Sequence, residues 1–126
     1  MIEYLVHSNF YRKLFPSDPN FKKIIFIELT IKSNDAYITF DLPNIFPENP
    51  PRAWRGNKSN STRLVFSFLS YSNLMIKKLS TENFCSLDFL EIEKNICNIQ
   101  LSGEAGILSL DCQFISIGGI MPYFNE

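Results

Sequence analysis

The chain holds one histidine, one tryptophan, five glycines and three cysteines in 126 residues, and each shortage excludes something. A histidine general acid or base, or a Ser-His-Asp or Cys-His system, would have to be built on His7. That residue lies in the N-terminal segment, and the sequence has no Gly-x-Ser-x-Gly elbow to serve it. Cys85, Cys97 and Cys112 are separated by eleven and fourteen residues, which is not the close Cys pairing that zinc sites use. An odd count in apolar segments also argues against a disulfide framework, so the three read as buried thiols of a reducing cytoplasm. Scarce glycine and only seven prolines exclude collagen-like and low-complexity chains. No run approaches the roughly 18 apolar residues of a membrane helix, and the start of the chain lacks the pattern of a signal peptide. No phosphate-binding glycine loop, dinucleotide fingerprint or calcium loop occurs. The expectation is no catalytic residue, no metal and no cofactor.

What the chain does have is apolar mass. Hydrophobic residues make up 45% and aromatics 14%, with twelve phenylalanines, enough to offset chain entropy without staples. Residues 1–126 are the size of one domain, read as a helical N-terminal segment over 1–22 and a β-sheet body over 23–124. A proline-rich loop interrupts that body at 43–60. Net charge is −1, far from the basic footprint of a nucleic-acid binder. The balance is uneven, however. Residues 1–63 carry nine Lys/Arg and six Asp/Glu, whereas residues 64–126 carry three and seven.

Phe10, Leu14 and Phe15 have helical spacing, with Ser8 or Asn9 available as a cap, and Pro16 ends the pattern. From there the chain alternates at period two. Ile25, Ile27, Leu29 and Ile31 share one strand face, Ser33-Asn34-Asp35 is turn chemistry, and Ala36, Ile38, Phe40 and Leu42 form the returning face. After the loop come Leu64, Phe66 and Phe68, then Leu74 and Ile76. The strand over 86–94 has Leu90 and Ile92 as its inward pair. Cys97, Ile99 and Leu101 follow, and Leu108, Leu110, Cys112 and Phe114 make the last long face. Ile115 and Ile117 have opposite parity, which predicts a bulge near Phe114. The fold class is all-β, mainly an antiparallel β-sandwich or partly open barrel of about seven to eight strands, with one short N-terminal helix. The parity assigns Ile27, Ile38, Phe40, Phe66, Phe68, Ile99, Leu110 and Phe114 to the core.

Polar candidates fall into two groups. Asp88, Glu91, Glu93, Glu104 and Asp111 give the second half its acidity, and Glu91 and Glu93 would share a strand face. Such a pair could serve acid–base chemistry, although a solvated sheet face gives the same pattern. Arg52, Trp54 and Arg55 sit in the proline-rich loop and are residue types enriched at interface hot spots. Trp54 could equally fold back over an open end of the sheet.

The order of elements carries a resemblance. A hairpin leads through Leu42-Pro43 to Pro51-Arg52-Ala53-Trp54, then to the strand Leu64-Val65-Phe66, the turn Ser102–Glu104 and the apolar run from Ser109 to Ile117. This resembles the small all-β immunity proteins of bacterial polymorphic-toxin and contact-dependent growth inhibition systems, in particular the group numbered fifty. The resemblance implies a cytoplasmic, non-enzymatic protein that neutralises a cognate toxin, commonly a nuclease, by binding it. On that expectation the partner is a basic protein held one to one by a monomer, with neither nucleic acid nor membrane bound directly. The toxin contacts would come from Asp88, Glu91, Glu93, Glu104, Asp111, Arg52, Trp54 and Arg55. The alternatives are a small ligand-binding β-barrel with a Phe-lined cavity, or an enzyme.

Overall fold

Alternation at period two becomes one large sheet. The computed structural model describes residues 5–6, 8–56, 58–78, 84–103 and 106–125. Its strands are Leu5–Val6 (β1), Ile24–Lys32 (β2), Asp35–Leu42 (β3), Ser61–Leu69 (β4), Ser72–Lys77 (β5), Phe84–Glu93 (β6), Ile96–Gly103 (β7), Gly106–Cys112 (β8) and Phe114–Tyr123 (β9). A helix, α1, spans Asn9–Leu14, and a single 3₁₀ turn spans Arg52–Trp54 in the proline-rich loop. The strands follow the order β1-β9-β4-β3-β2-β6-β7-β8-β5, antiparallel throughout except for β1 against β9. The fold is therefore all-β with one short helix among the described residues, and nine strands replace the seven or eight expected.

The sheet curls on itself. Phe66 on β4 and Phe89 on β6 stand three strand steps apart, roughly 14 Å across a flat sheet. Their ring centroids are 6.3 Å apart. Phe21 fills the space between the two halves, 5.9 Å from both rings and 6.0 Å from Phe40. Edge-to-face contacts of this kind add to the apolar area they bury. Helix α1 closes one side through Tyr11 and Leu14, and its buried Tyr11 hydroxyl donates to Asp18 Oδ1 at 3.0 Å. Ser8 occupies the N-cap position, but without a side-chain capping bond.

Ile38, Phe40, Phe66, Phe68, Ile99 and Leu110 are all fully buried, as their parity requires. Three assignments need correction, the first two for a backbone reason and the third because the inward parity of β6 is that of Cys85 and Leu87. In β2 a register shift between Phe26 and Glu28 leaves Ile27 unpaired, so Ile24 and Phe26 face the core while Ile27 is only partly buried. Phe114 is 48% exposed and Ile115 is buried instead. The last long face is in fact two strands. The chain breaks at Gln113 and crosses from β8, beside β5 and β7, to β9, beside β4 and β1. In β6 the inward residues are Cys85, Leu87 and Phe89, and the expected pair Leu90 and Ile92 is 63% and 48% exposed.

Candidate functional site

The second group of strands, β6-β7-β8-β5, gathers most of the acidic candidates. Residue pairs across a ladder share a face, so the register assigns each one. Asp88 pairs with Gln100 and Leu90 with Asn98, and Asn98 in turn pairs with Asp111. Asp88, Leu90 and Asp111 thus lie on the outer face of this half-sheet. Between Glu91 and Glu93 the register shifts, pairing Glu91 with Cys97 and Glu93 with Ile96. Cys97 and Ile96 are consecutive residues on opposite faces, so Glu91 and Glu93 are on opposite faces too. That corrects the shared face expected for them. Glu93 joins Asp88 on the outer face, with exposed Leu90 between them in the strand.

The carboxylates also differ in what they already hold. Asp111 is 8% exposed and accepts from Asn73 Nδ2 and Asn98 Nδ2, both at 2.8 Å. The same Asn98 amide reaches Ser109 Oγ and Leu110 O, so this cluster ties β5, β7 and β8 together. Asp88 is half-exposed, paired with Lys22 Nζ and accepting from Ser86 Oγ. Glu91 and Glu93 are exposed at the far end of β6, where the strand outruns the core. Glu104 lies outside the described residues, as does His7.

The loop candidates sit elsewhere. Trp54 is half-buried, its ring 6.4 Å from Phe10 at a right angle and 6.0 Å from Phe46. It covers the α1 side of the core, as the fold-back reading expects. Arg52 and Arg55 are exposed, with Arg55 Nε donating to Pro50 O at 3.1 Å. Beside this loop runs an open cleft of about 340 Å³, with Leu14, Phe15 and Pro19 on one wall and Ile45, Phe46 and Pro47 on the other. The interior between the sheet halves is filled by phenylalanine rings.

Sequence parity missed two features. One is the pair of buried Asp41 and partly exposed Arg63, where Arg63 Nε and Nη2 donate to Asp41 Oδ1 and Oδ2 at 2.6 and 3.0 Å. That fork, with Arg63 also 5.6 Å over the Tyr123 ring, holds β3, β4 and β9 in register. The opposed charges at Asp41 and Arg63 were its only sequence signal. The other is the exposure of Leu90, which follows from the inward parity of Cys85, Leu87 and Phe89 and puts Leu90 on the outer face. All three cysteines are buried free thiols, and burial pushes Cys112 up to about 12 and raises Cys85 and Cys97. Among the described residues no helix is long and apolar enough to cross a membrane.

No curated protein and no solved structure matches the chain. Residues 10–123, from α1 to the end of β9, match the family model described as Immunity protein 50, and the chain belongs to that family.

Proposed function

We propose that this immunity protein acts in the cytoplasm as a monomer, binding a basic, nuclease-type toxin one to one and covering its active site. The observation that carries the reading is the end of β6. Residues Phe84–Glu93 contain three carboxylates and no cation, and Glu91 and Glu93 stand exposed beside the exposed side chains of Leu90 and Ile92. A nuclease needs a positive cleft for phosphates, and a surface that presents carboxylates around an apolar anchor is complementary to such a cleft. Asp111 supports this surface from within, through its bonds to Asn73 and Asn98. Arg52 and Arg55 are of the wrong sign for the same cleft, and Trp54 serves packing.

The test is protection. The toxin domain encoded next to this gene is expressed with and without the chain in growing cells, and its nuclease activity is assayed on purified DNA and RNA. The expected result is survival only with the chain, together with loss of nucleic-acid cleavage in the one-to-one complex. A neutralised toxin without nuclease activity would remove the nuclease reading and leave the immunity protein in place.

A further inference from the structure

Strand β6 is paired unevenly. On one side β7 runs beside it from Cys85 to Glu93. On the other side β2 meets it only through Ile24 with Cys85 and Ile25 with Phe84. One further bond fixes the direction of this second edge: the Leu87 N–H donates to Phe21 O at 2.8 Å. Leu87 therefore aims its backbone away from β7. Because backbone direction repeats every two residues, Phe89 and Glu91 aim theirs the same way. Past Leu87, no strand of the described residues pairs with this edge.

An open edge of unpaired N–H and C=O groups is a template for another strand, and proteins usually blunt such edges with lysine, proline or a bulge. Residues Phe84–Glu93 contain neither lysine nor proline, and the register shift lies beyond Glu91. The side chains along this stretch state what could lie there. Leu90, at 63% exposed, offers an apolar contact on the outer face, and Glu91 offers a carboxylate on the opposite one. A strand laid alongside would present successive residues to these two faces in turn.

We propose that the toxin docks by adding an extended segment, with basic and apolar residues alternating, to the free edge of β6 at Phe89–Glu91. Main-chain hydrogen bonds to Phe89 and Glu91 hold the segment, and Leu90 and Glu91 select its side chains. The inference rests on the reading that the β6 carboxylates contact the toxin, and it adds the mode of contact.

Residue-resolved amide hydrogen exchange tests it on the unsubstituted chain, free and bound to a catalytically inactivated form of the toxin domain encoded beside the gene. The Phe89 and Glu91 amides should exchange freely in the chain alone and slow by on the order of 100-fold in the complex. A second arm uses Glu91→Pro, which removes an outward N–H and leaves the β7 ladder intact, against Glu91→Gln, which removes only the charge. Glu91→Pro should bind at least about tenfold more weakly than Glu91→Gln while melting like it. If the complex forms and both amides exchange as fast as in the free chain, strand addition is overturned and the toxin reading stands. If the unsubstituted chain does not bind the toxin domain at any salt concentration, both fall together. Should Glu91→Pro fail to fold, the exchange measurement decides alone.

Discussion

At the scale of single residues, two phenylalanines of similar sequence context have opposite roles. Phe66 is fully buried against Tyr11, Phe21, Phe40, Phe68 and Phe89. Truncating it removes both transfer free energy and the contacts of five rings. Phe66→Ala should destabilise by about 3–5 kcal/mol, while Phe114→Ala, at a half-exposed site, should cost less than ~1 kcal/mol. Urea melts of the two variants check the difference, and equal losses would refute the crossing at Gln113. Burial also sets the pH response. Cys85, Cys97 and Cys112 are raised chiefly by desolvation, and so are Tyr11 and Tyr123. All five groups hold their protons longer in the folded chain than in the unfolded one. The thiols' contribution is complete below the unfolded thiol range near pH 8.5 and the phenols' below about pH 10, and each is lost as pH rises above that range, for Cys112 up to about 12. Melting temperature should therefore fall steadily above about pH 9. In a triple Cys→Ala variant, the loss between pH 9 and 10 should be visibly shallower.

At the scale of elements, what was legible in the sequence depended on whether a strand keeps one parity. β3 and β4 do. Ala36, Ile38, Phe40 and Leu42 pair with Phe68, Phe66, Leu64 and Thr62 in an unbroken ladder, so counting by two finds their buried face. β2 and β6 each contain a register shift, at Phe26/Glu28 and Glu91/Glu93. One extra residue reverses the parity of everything after it, and nothing in the side chains of Ile27 or Ile92 announces it. Of the candidate site, the acidity of β6 was legible and its division between two faces was not. Crowding is likewise visible only in space. Gly106, at φ +150, lies where an added Cβ would fall 1.2 Å from the Lys78 carbonyl oxygen. Gly106→Ala should push β5 off β8, destabilise the chain by more than about 2 kcal/mol and speed amide exchange from Met75 to Lys77. A variant with unchanged exchange in β5 would show that the two strands do not approach so closely.

At the scale of the whole molecule, the distribution of charge decides how a partner would find this surface. The chain is nearly neutral, yet its second half carries seven acidic residues against three basic ones. Two carboxylates, Glu91 and Glu93, are exposed at one projecting end. Fields from such charges are screened over about 8 Å at physiological ionic strength, so they act on the last stage of approach and on the association rate more than on the final contact. A charge-reversed pair, Glu91→Lys with Glu93→Lys, should slow association with a basic toxin by about tenfold at low salt and flatten its salt dependence. Thermal stability should stay unchanged, because neither residue packs in the core. Leu90→Ser should do the reverse, leaving the association rate nearly intact and speeding dissociation, since it removes an anchor rather than a field. Surface plasmon resonance at several salt concentrations separates the two effects. Rates like those of the unsubstituted chain in both variants would exclude the β6 end as the contact. The next surface to test is then the loop of Arg52, Trp54 and Arg55, where a steering effect of the opposite sign would require an acidic partner.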